Sequence, residues 1–303
     1  MTFNIDKVPA QAGKVAIVTG ANNGLGFETT MALAKKEIEV VMACRNLDKA
    51  EEAKAKIMKV NRKAKLHVME LDLSELDSVR EFAGAFTKKY NRLDFLINNA
   101  GIMMPPFSLT EDGFESQFAT NYLGHFLLTK LLFSTIKNTP EARIVSLSSL
   151  AHKWKDIQFD DINFKKSYSK RDAYGQSKFA CLMFAIEFDK RLKEANINAK
   201  SLAAHPGVSA TNLFNNMPKP VAWFTSIFGS FFVQPAKDGA LPSLYAALGS
   251  DLAGGEYTGP EGKGEMKGDA TIVKPRRAAK NEVMADRLWS VSEEMIGEDF
   301  VVQ

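Results

Sequence analysis

The chain has 303 residues, of which 45% are hydrophobic, 25% charged and 10% aromatic, with only 2 cysteines. These values exclude disordered, collagen-like and disulfide-scaffold chains and allow one large α/β domain or two small ones. Lys+Arg is 39 against Asp+Glu 36, a net charge of +3, too slight an excess for nucleic acid to be the main partner.

The segment from Met1 to Lys14 carries Asp6, Lys7 and Pro9 and no apolar core, unlike a secretory signal. Val15–Thr19 is a β-branched run ending in Gly20, and a helical pattern follows from about Leu25 to Lys36. Strand-like Glu39–Ala43, helical Ala50–Val60, strand-like Leu66–Leu71 and helical Leu76–Tyr90 continue the alternation. Phe95–Asn98 reads as a strand, Phe114–Ile136 as one long helix and Arg143–Leu147 as a strand. Ala151–Asp172 is polar and Lys-rich, the pattern of a long surface loop. Tyr174–Ala195 is helical and Ala199–Ala204 a strand. Such alternation predicts an α/β fold: a doubly wound parallel sheet of about seven strands with helices on both faces.

No linker composition divides the chain, so residues 1–303 are expected to form a single domain. Two parts depart from the alternation, an excursion near 208–235 and a C-terminal extension near 260–303. The excursion holds Trp223, Phe224, Phe228, Phe231 and Phe232 within Val221–Val233. That stretch is too short to span a membrane and is broken by Thr225, Ser226, Gly229 and Ser230. It suits an apolar lid over a lipophilic substrate, and equally core packing, a dimer surface or a shallow membrane contact. The basic stretch Lys263–Lys280, with Arg276 and Arg277, reads as a mobile tail, a cap on a cleft or part of a subunit contact. Cys44 and Cys181 belong to no CxxC or Cys/His cluster. They read as reduced thiols of a cytoplasmic protein, and no metal site is expected.

The stretch Thr19-Gly20-Ala21-Asn22-Asn23-Gly24-Leu25-Gly26 follows the first strand and opens the first helix. Glycines there permit a tight turn and let backbone approach a pyrophosphate, which the helix N-terminus then attracts. Its spacing is GxxxGxG rather than GxGxxG, and an ordinary Gly-rich turn shares its composition. The second strand ends Met42-Ala43-Cys44-Arg45-Asn46, with no carboxylate at its tip. Arg45 can pair with a ribose 2′-phosphate through two N–H groups, which favours NADP(H) over NAD(H); a solvated surface arginine is the plain alternative. Asp72, followed by Leu73, can accept from an adenine amino group or cap the next helix.

Tyr174-Gly175-Gln176-Ser177-Lys178 places a phenol and an ammonium four residues apart, on one helix face. With six tyrosines in the chain, this spacing arises easily by chance, and its context decides. In order along the chain come the turn Thr19–Gly26, Asn98-Asn99-Ala100-Gly101, Asn121, Ser148-Ser149, Tyr174 with Lys178, and His205-Pro206-Gly207. This ordered set, from Lys14 to about Val208, resembles the short-chain dehydrogenases/reductases of the compact type, with a single Rossmann-like domain. Ala43-Cys44-Arg45-Asn46, Thr120-Asn121-Tyr122-Leu123-Gly124-His125-Phe126, Ser148-Ser149-Leu150-Ala151-His152 and His205-Pro206-Gly207-Val208 most resemble the branch of retinol dehydrogenase- and protochlorophyllide reductase-like proteins. The 25-residue gap from Ser149 to Tyr174 matches that branch's longer insertion.

The resemblance implies hydride transfer between NADP(H) and a carbonyl/alcohol pair of a lipophilic substrate, in a homodimer or homotetramer. The alternatives are reduction of a carbon–carbon double bond and a noncatalytic dinucleotide sensor. Ser149 would hold the substrate oxygen, Tyr174 would transfer a proton, and Lys178 would bind the nicotinamide ribose. Tyrosine needs about 4 kcal/mol of help to act at neutral pH, which one cation about 4 Å away supplies. Lys178 is therefore expected to lower the Tyr174 pKa. Asn121 would support a water-mediated proton path to Lys178 through a local helix distortion, or be a helix-interior polar residue satisfied by backbone. Asn99, Ala100 and Gly101 would line the ribose side or merely stabilise the sheet, and Pro206, Gly207 and Val208 would shape the nicotinamide site. His205 reads as structural rather than catalytic.

Overall fold

The structure, a computed structural model, describes residues 3–208 and 234–303. The aromatics Trp223, Phe224, Phe228, Phe231 and Phe232 lie outside the described residues. The strands are β1 Val15–Thr19, β2 Glu39–Cys44, β3 Leu66–Glu70, β4 Phe95–Asn98, β5 Ala142–Leu147, β6 Ala199–Ala204, β7 Tyr257–Pro260 and β8 Ala270–Ile272. They form one sheet of order β3-β2-β1-β4-β5-β6-β7-β8. Every neighbouring pair is parallel except β7 and β8.

Successive residues of a strand face opposite sides of a sheet, so a strand covered on both faces must be apolar throughout. β1 shows it: Val15 and Ile17 enter one core, Ala16 and Val18 the other. The second core is closed by α1 Gly24–Lys35 and α2 Leu47–Val60, and by α9 Leu241–Leu248, which follows α8 Ala236–Gly239. The first is closed by α3 Leu76–Lys89, by the run α4 Ser116–Phe118, α5 Gly124–Leu131 and α6 Phe133–Lys137, by α7 Lys170–Glu194 and by α10 Glu282–Ile296.

Four differences from the sequence reading have local causes. The helix expected over 114–136 is interrupted by a π-helical turn at Ala119–Leu123, where Asn121 turns its side chain to the backbone of Ile102. α7 begins at Lys170 rather than Tyr174, because the Ser169 hydroxyl accepts from the Asp172 amide and caps it. The polar stretch 151–172 is not purely surface: Ile157 and Phe164 are buried, and Gln176 holds it by bonds to Gln158 N and Ile162 O. An eighth strand, β8, turns back antiparallel on β7 within the basic stretch, which is anchored by Arg276 to Asp156 and to the His152 carbonyl.

α10 docks through Trp289, which stacks on Phe300 at 4.9 Å and meets Phe126 edge-on at 5.1 Å. Trp289→Ala should lower the unfolding free energy in denaturant by about 3–5 kcal/mol. Val283→Ala, on the exposed side of the same helix, should change it by less than about 0.5 kcal/mol; equal effects would refute this view of the docking.

Candidate active site

Between β1 and β4 the sheet changes its direction of winding, which opens a crevice beyond the strands' carboxyl ends. Two clefts of about 410 Å³ and about 440 Å³ lie there, sharing Leu25, Asn99, Gly101, Ile102 and Met103. Gly20, Asn22, Asn23, Gly24, Gly26, Arg45, Asp72, Leu73 and Ala100 line the first. Ser149, Tyr174, Lys178, Pro206, Gly207 and Val208 line the second. Of the sequence-expected residues only Asn121 lines neither; it stands behind their common wall.

The first cleft depends on close backbone contact. Gly20 and Gly24 take left-handed φ of 65° and 51°. A Cβ on Gly26 would collide with the Gly20 carbonyl and lie 2.6 Å from Asn99 Nδ2. Asn23 makes no side-chain capping bond to α1, so the first helix amides are left for an anion. Burial pushes the Cys44 thiol beneath this turn up to about 11, against hydrogen bonds from the Ala21 and Asn22 backbone.

Arg45 lies 72% exposed with its guanidinium 3.4 Å from Asp72, whose side chain is 15% exposed. Asp72 lines the cleft, and its Oδ1 accepts from the Ser74 amide at 2.9 Å and the Ser74 hydroxyl at 2.5 Å. It does not cap the next helix: the N-cap there is Glu75, and the Leu76 amide donates to Asp112 at 3.0 Å rather than to Asp72. Lys49, in the first turn of α2, brings a second cation beside Arg45. The sequence reading missed it; its place just after the β2 tip was the available signal.

In the second cleft the side chains expected to react come from two pieces of the fold. Ser149 follows β5, its carbonyl accepting from His152 Nδ1 at 2.6 Å and its hydroxyl from the Ala151 amide at 3.2 Å. The Ser148 hydroxyl instead donates to the Lys178 carbonyl at 2.8 Å, leaving Ser149 as the serine hydrogen-bonded to Tyr174. Ala173–Ile186 contains one charged residue, Lys178, and it is buried. Its ammonium donates to the Leu147 carbonyl at 2.9 Å, and burial pushes its pKa down.

One expectation is corrected here. The Tyr174 phenol is not lowered: burial pushes it up to about 12, opposed by the Ser149 hydrogen bond, while the Lys178 ammonium is directed at Leu147. The helix distortion expected at Asn121 is present. The Asn121 carbonyl accepts from His125 Nδ1 at 2.9 Å and from Cys181 Sγ at 3.2 Å.

His205 lines neither cleft. It is fully buried, its Nδ1 accepts from the Gly207 amide at 3.2 Å, and its Nε2 lies 3.1 Å from Glu265. Gly207, at φ 63°, abuts the Met266 carbonyl, which also accepts from the Val208 amide at 2.8 Å. The segment 263–280 thereby supports the floor of the second cleft. Among the described residues no helix is long and apolar enough to cross a membrane, and no His/Cys/Asp/Glu cluster could hold a metal.

A parallel sheet with a glycine-turned crevice and a Ser/Tyr/Lys set beside it defines a nicotinamide-dinucleotide oxidoreductase. The chain belongs to the short chain dehydrogenase family, whose model matches residues 14–221. It is 40% identical to retinol dehydrogenase 12 of Mus musculus, over 94% of this chain and 87% of that one. It is 38% identical to the chloroplastic short-chain dehydrogenase TIC 32 B of Brassica napus, over 93% and 88%. A crystal structure of an uncharacterized protein from Mycobacterium Paratuberculosis matches with TM-score 0.82 and 38% identity, covering 99% of each chain.

Burial pushes His125 and His152 each down to about 4, from 6.5. In the unfolded chain both protonate near 6.5, so their stabilising contribution is complete above that pH and is lost as pH falls toward 4. Each should account for about 3 kcal/mol over that window. Denaturant midpoints at pH 7 and pH 4.5 check this: His152→Asn should shrink the difference, and an unchanged difference would contradict it.

Proposed function

We propose that the protein is an NADP(H)-dependent oxidoreductase that interconverts the carbonyl and the alcohol of a lipophilic substrate. One observation carries the reading: a glycine-turned cleft and an apolar cleft holding Ser149 and Tyr174 share the wall of Gly101, Ile102 and Met103. The residues fit a dinucleotide, because the backbone contact at Gly26 leaves a cradle that a Cβ would fill. Arg45 and Lys49 would hold the 2′-phosphate, and Asp72 and Leu73 the adenine. Asn99, Ala100 and Gly101 would flank the ribose, Lys178 the nicotinamide ribose, and Pro206, Gly207 and Val208 the ring. When bound, the nicotinamide supplies or takes up the hydride.

Ser149 holds the substrate oxygen and Tyr174 exchanges a proton with it. The phenol is protonated at neutral pH and can donate, but burial that pushes it up to about 12 makes it a weaker acid that needs help to do so. The buried Lys178 cation then stabilises the tyrosinate that donation leaves. Ile102, Met103, Met104, Leu150, Trp154 and Val208 make the second cleft apolar, and the similarity to retinol dehydrogenases supports a long apolar aldehyde or ketone. Two buried free cysteines support a reducing compartment, and a cytoplasmic setting fits them.

Tyr174→Phe should slow NADPH oxidation with a panel of apolar aldehydes and ketones by about 10²-fold or more while dinucleotide binding persists. Unchanged turnover would sink the mechanism. Arg45→Ala should weaken NADPH binding about tenfold or more and leave NADH nearly unaffected, as expected for loss of a charge-assisted pair. Tighter binding of NADH than NADPH by the wild type would refute the cofactor assignment.

A further inference from the structure

Behind the wall shared by the two clefts lies a buried histidine that the proposed reaction does not use. His125, on α5, has Nδ1 2.9 Å from the Asn121 carbonyl and Nε2 2.9 Å from the Thr19 hydroxyl. A carbonyl only accepts, so Nδ1 carries the proton. In the neutral ring Nε2 is then an acceptor, and the Thr19 hydroxyl donates to it at 2.9 Å, the nearer of its two acceptors, the Ile97 carbonyl lying at 3.3 Å. The Thr19 oxygen in turn accepts from the amides of Asn99 and Ala100, each at 2.9 Å. On the other side Asn121 Oδ1 accepts from the Ile102 amide at 2.7 Å, and Nδ2 donates to the Ile102 carbonyl at 3.0 Å. Thr19 grips one end of the wall, Asn121 grips the other, and His125 joins the two grips.

We propose that His125 is a positioning residue that fixes the segment 99–102, so that the glycine turn and the Ser149/Tyr174 pair face each other in register. The proposal rests on the functional reading above. A merely structural histidine would stabilise the fold without setting dinucleotide affinity. The neighbouring ionisable groups, Lys178 and Cys181, take no part in the relay: Lys178 bonds to Leu147, and Cys181 shares only the Asn121 carbonyl.

His125→Asn keeps a donor where Nδ1 stands and loses the acceptor for Thr19, whereas Thr19→Val removes the hydroxyl and Thr19→Ser retains it. NADPH and NADH affinity by nicotinamide fluorescence, hydrogen exchange of the 99–102 amides, and Tm are measured on each. His125→Asn and Thr19→Val should each weaken NADPH binding and speed exchange about tenfold or more, the size one unsatisfied buried group implies. Thr19→Ser should stay near wild type, and the double variant should be no worse than either single one. A drop in Tm alone, with affinity and exchange unchanged, overturns the proposal, as does an additive double variant. Should His125→Asn fail to fold, the wild-type ring nitrogens decide: ¹⁵N shifts showing a proton on Nδ1 support the relay, and a proton on Nε2 overturns it. A wild type that binds neither dinucleotide refutes the proposed function instead, while exchange and tautomer still judge His125.

Discussion

The approach of Gly26 to the Gly20 carbonyl is the constraint on which the rest of the crevice depends. α1 can begin directly under the exit of β1 only if position 26 carries no side chain. That contact places Asn99 Nδ2 2.7 Å from the Thr19 carbonyl, so the ends of β1 and β4 converge on the start of α1. The crevice opens there because β1 hands the chain to β2 on one side and β4 hands it to β5 on the other. Three backbone segments thus meet where a parallel sheet leaves its amides without strand partners.

The second constraint is electrostatic. α7 crosses the core with Tyr174 and Lys178 buried in an otherwise uncharged stretch. Burying an ammonium is costly unless it finds partners, and the Leu147 carbonyl is the one it finds. The same burial raises the phenol, so the two groups are pushed toward neutrality from opposite sides. An environment that disfavours charge on either group makes a charge appearing on one of them matter more to the other. That is a physical reason for the proposed proton transfer to be placed here rather than at a surface phenol.

How far the sequence revealed this varies with the physics of each element. Val15–Thr19 and Phe95–Asn98 read correctly because strands covered on both faces must be continuously apolar. Lys178 was legible from its spacing of four residues from Tyr174, which puts both on one helix face. The π-helical turn was expected only through the family resemblance, as a distortion at Asn121, since it follows from Asn121 reaching the backbone of Ile102, a contact made across 19 residues of sequence. β8 escaped notice because Ala270–Ile272 lies in a polar, glycine-rich stretch and is held by pairing with β7 rather than by its own pattern. The Tyr174 pKa went astray for a similar reason. The spacing puts Lys178 on the right helix face but says nothing about which acceptor takes its ammonium, or how much water burial removes.

The two ends of the crevice are held with unequal firmness. Arg45 is mostly exposed, and its 3.4 Å pair with Asp72 is of the surface kind, worth about 0–1 kcal/mol. Turning that guanidinium toward an incoming anion costs little, and Lys49, lining the same cleft, adds attraction. At the other end Ser149 is fixed through His152, Ser148 through Lys178, and Gly207 through Met266 and His205. Reorganising there would break buried hydrogen bonds, each costing about 1–3 kcal/mol when left unmade. A long ligand would therefore be captured at the exposed end, where side chains can adjust. It would be aligned at the buried end, where they cannot.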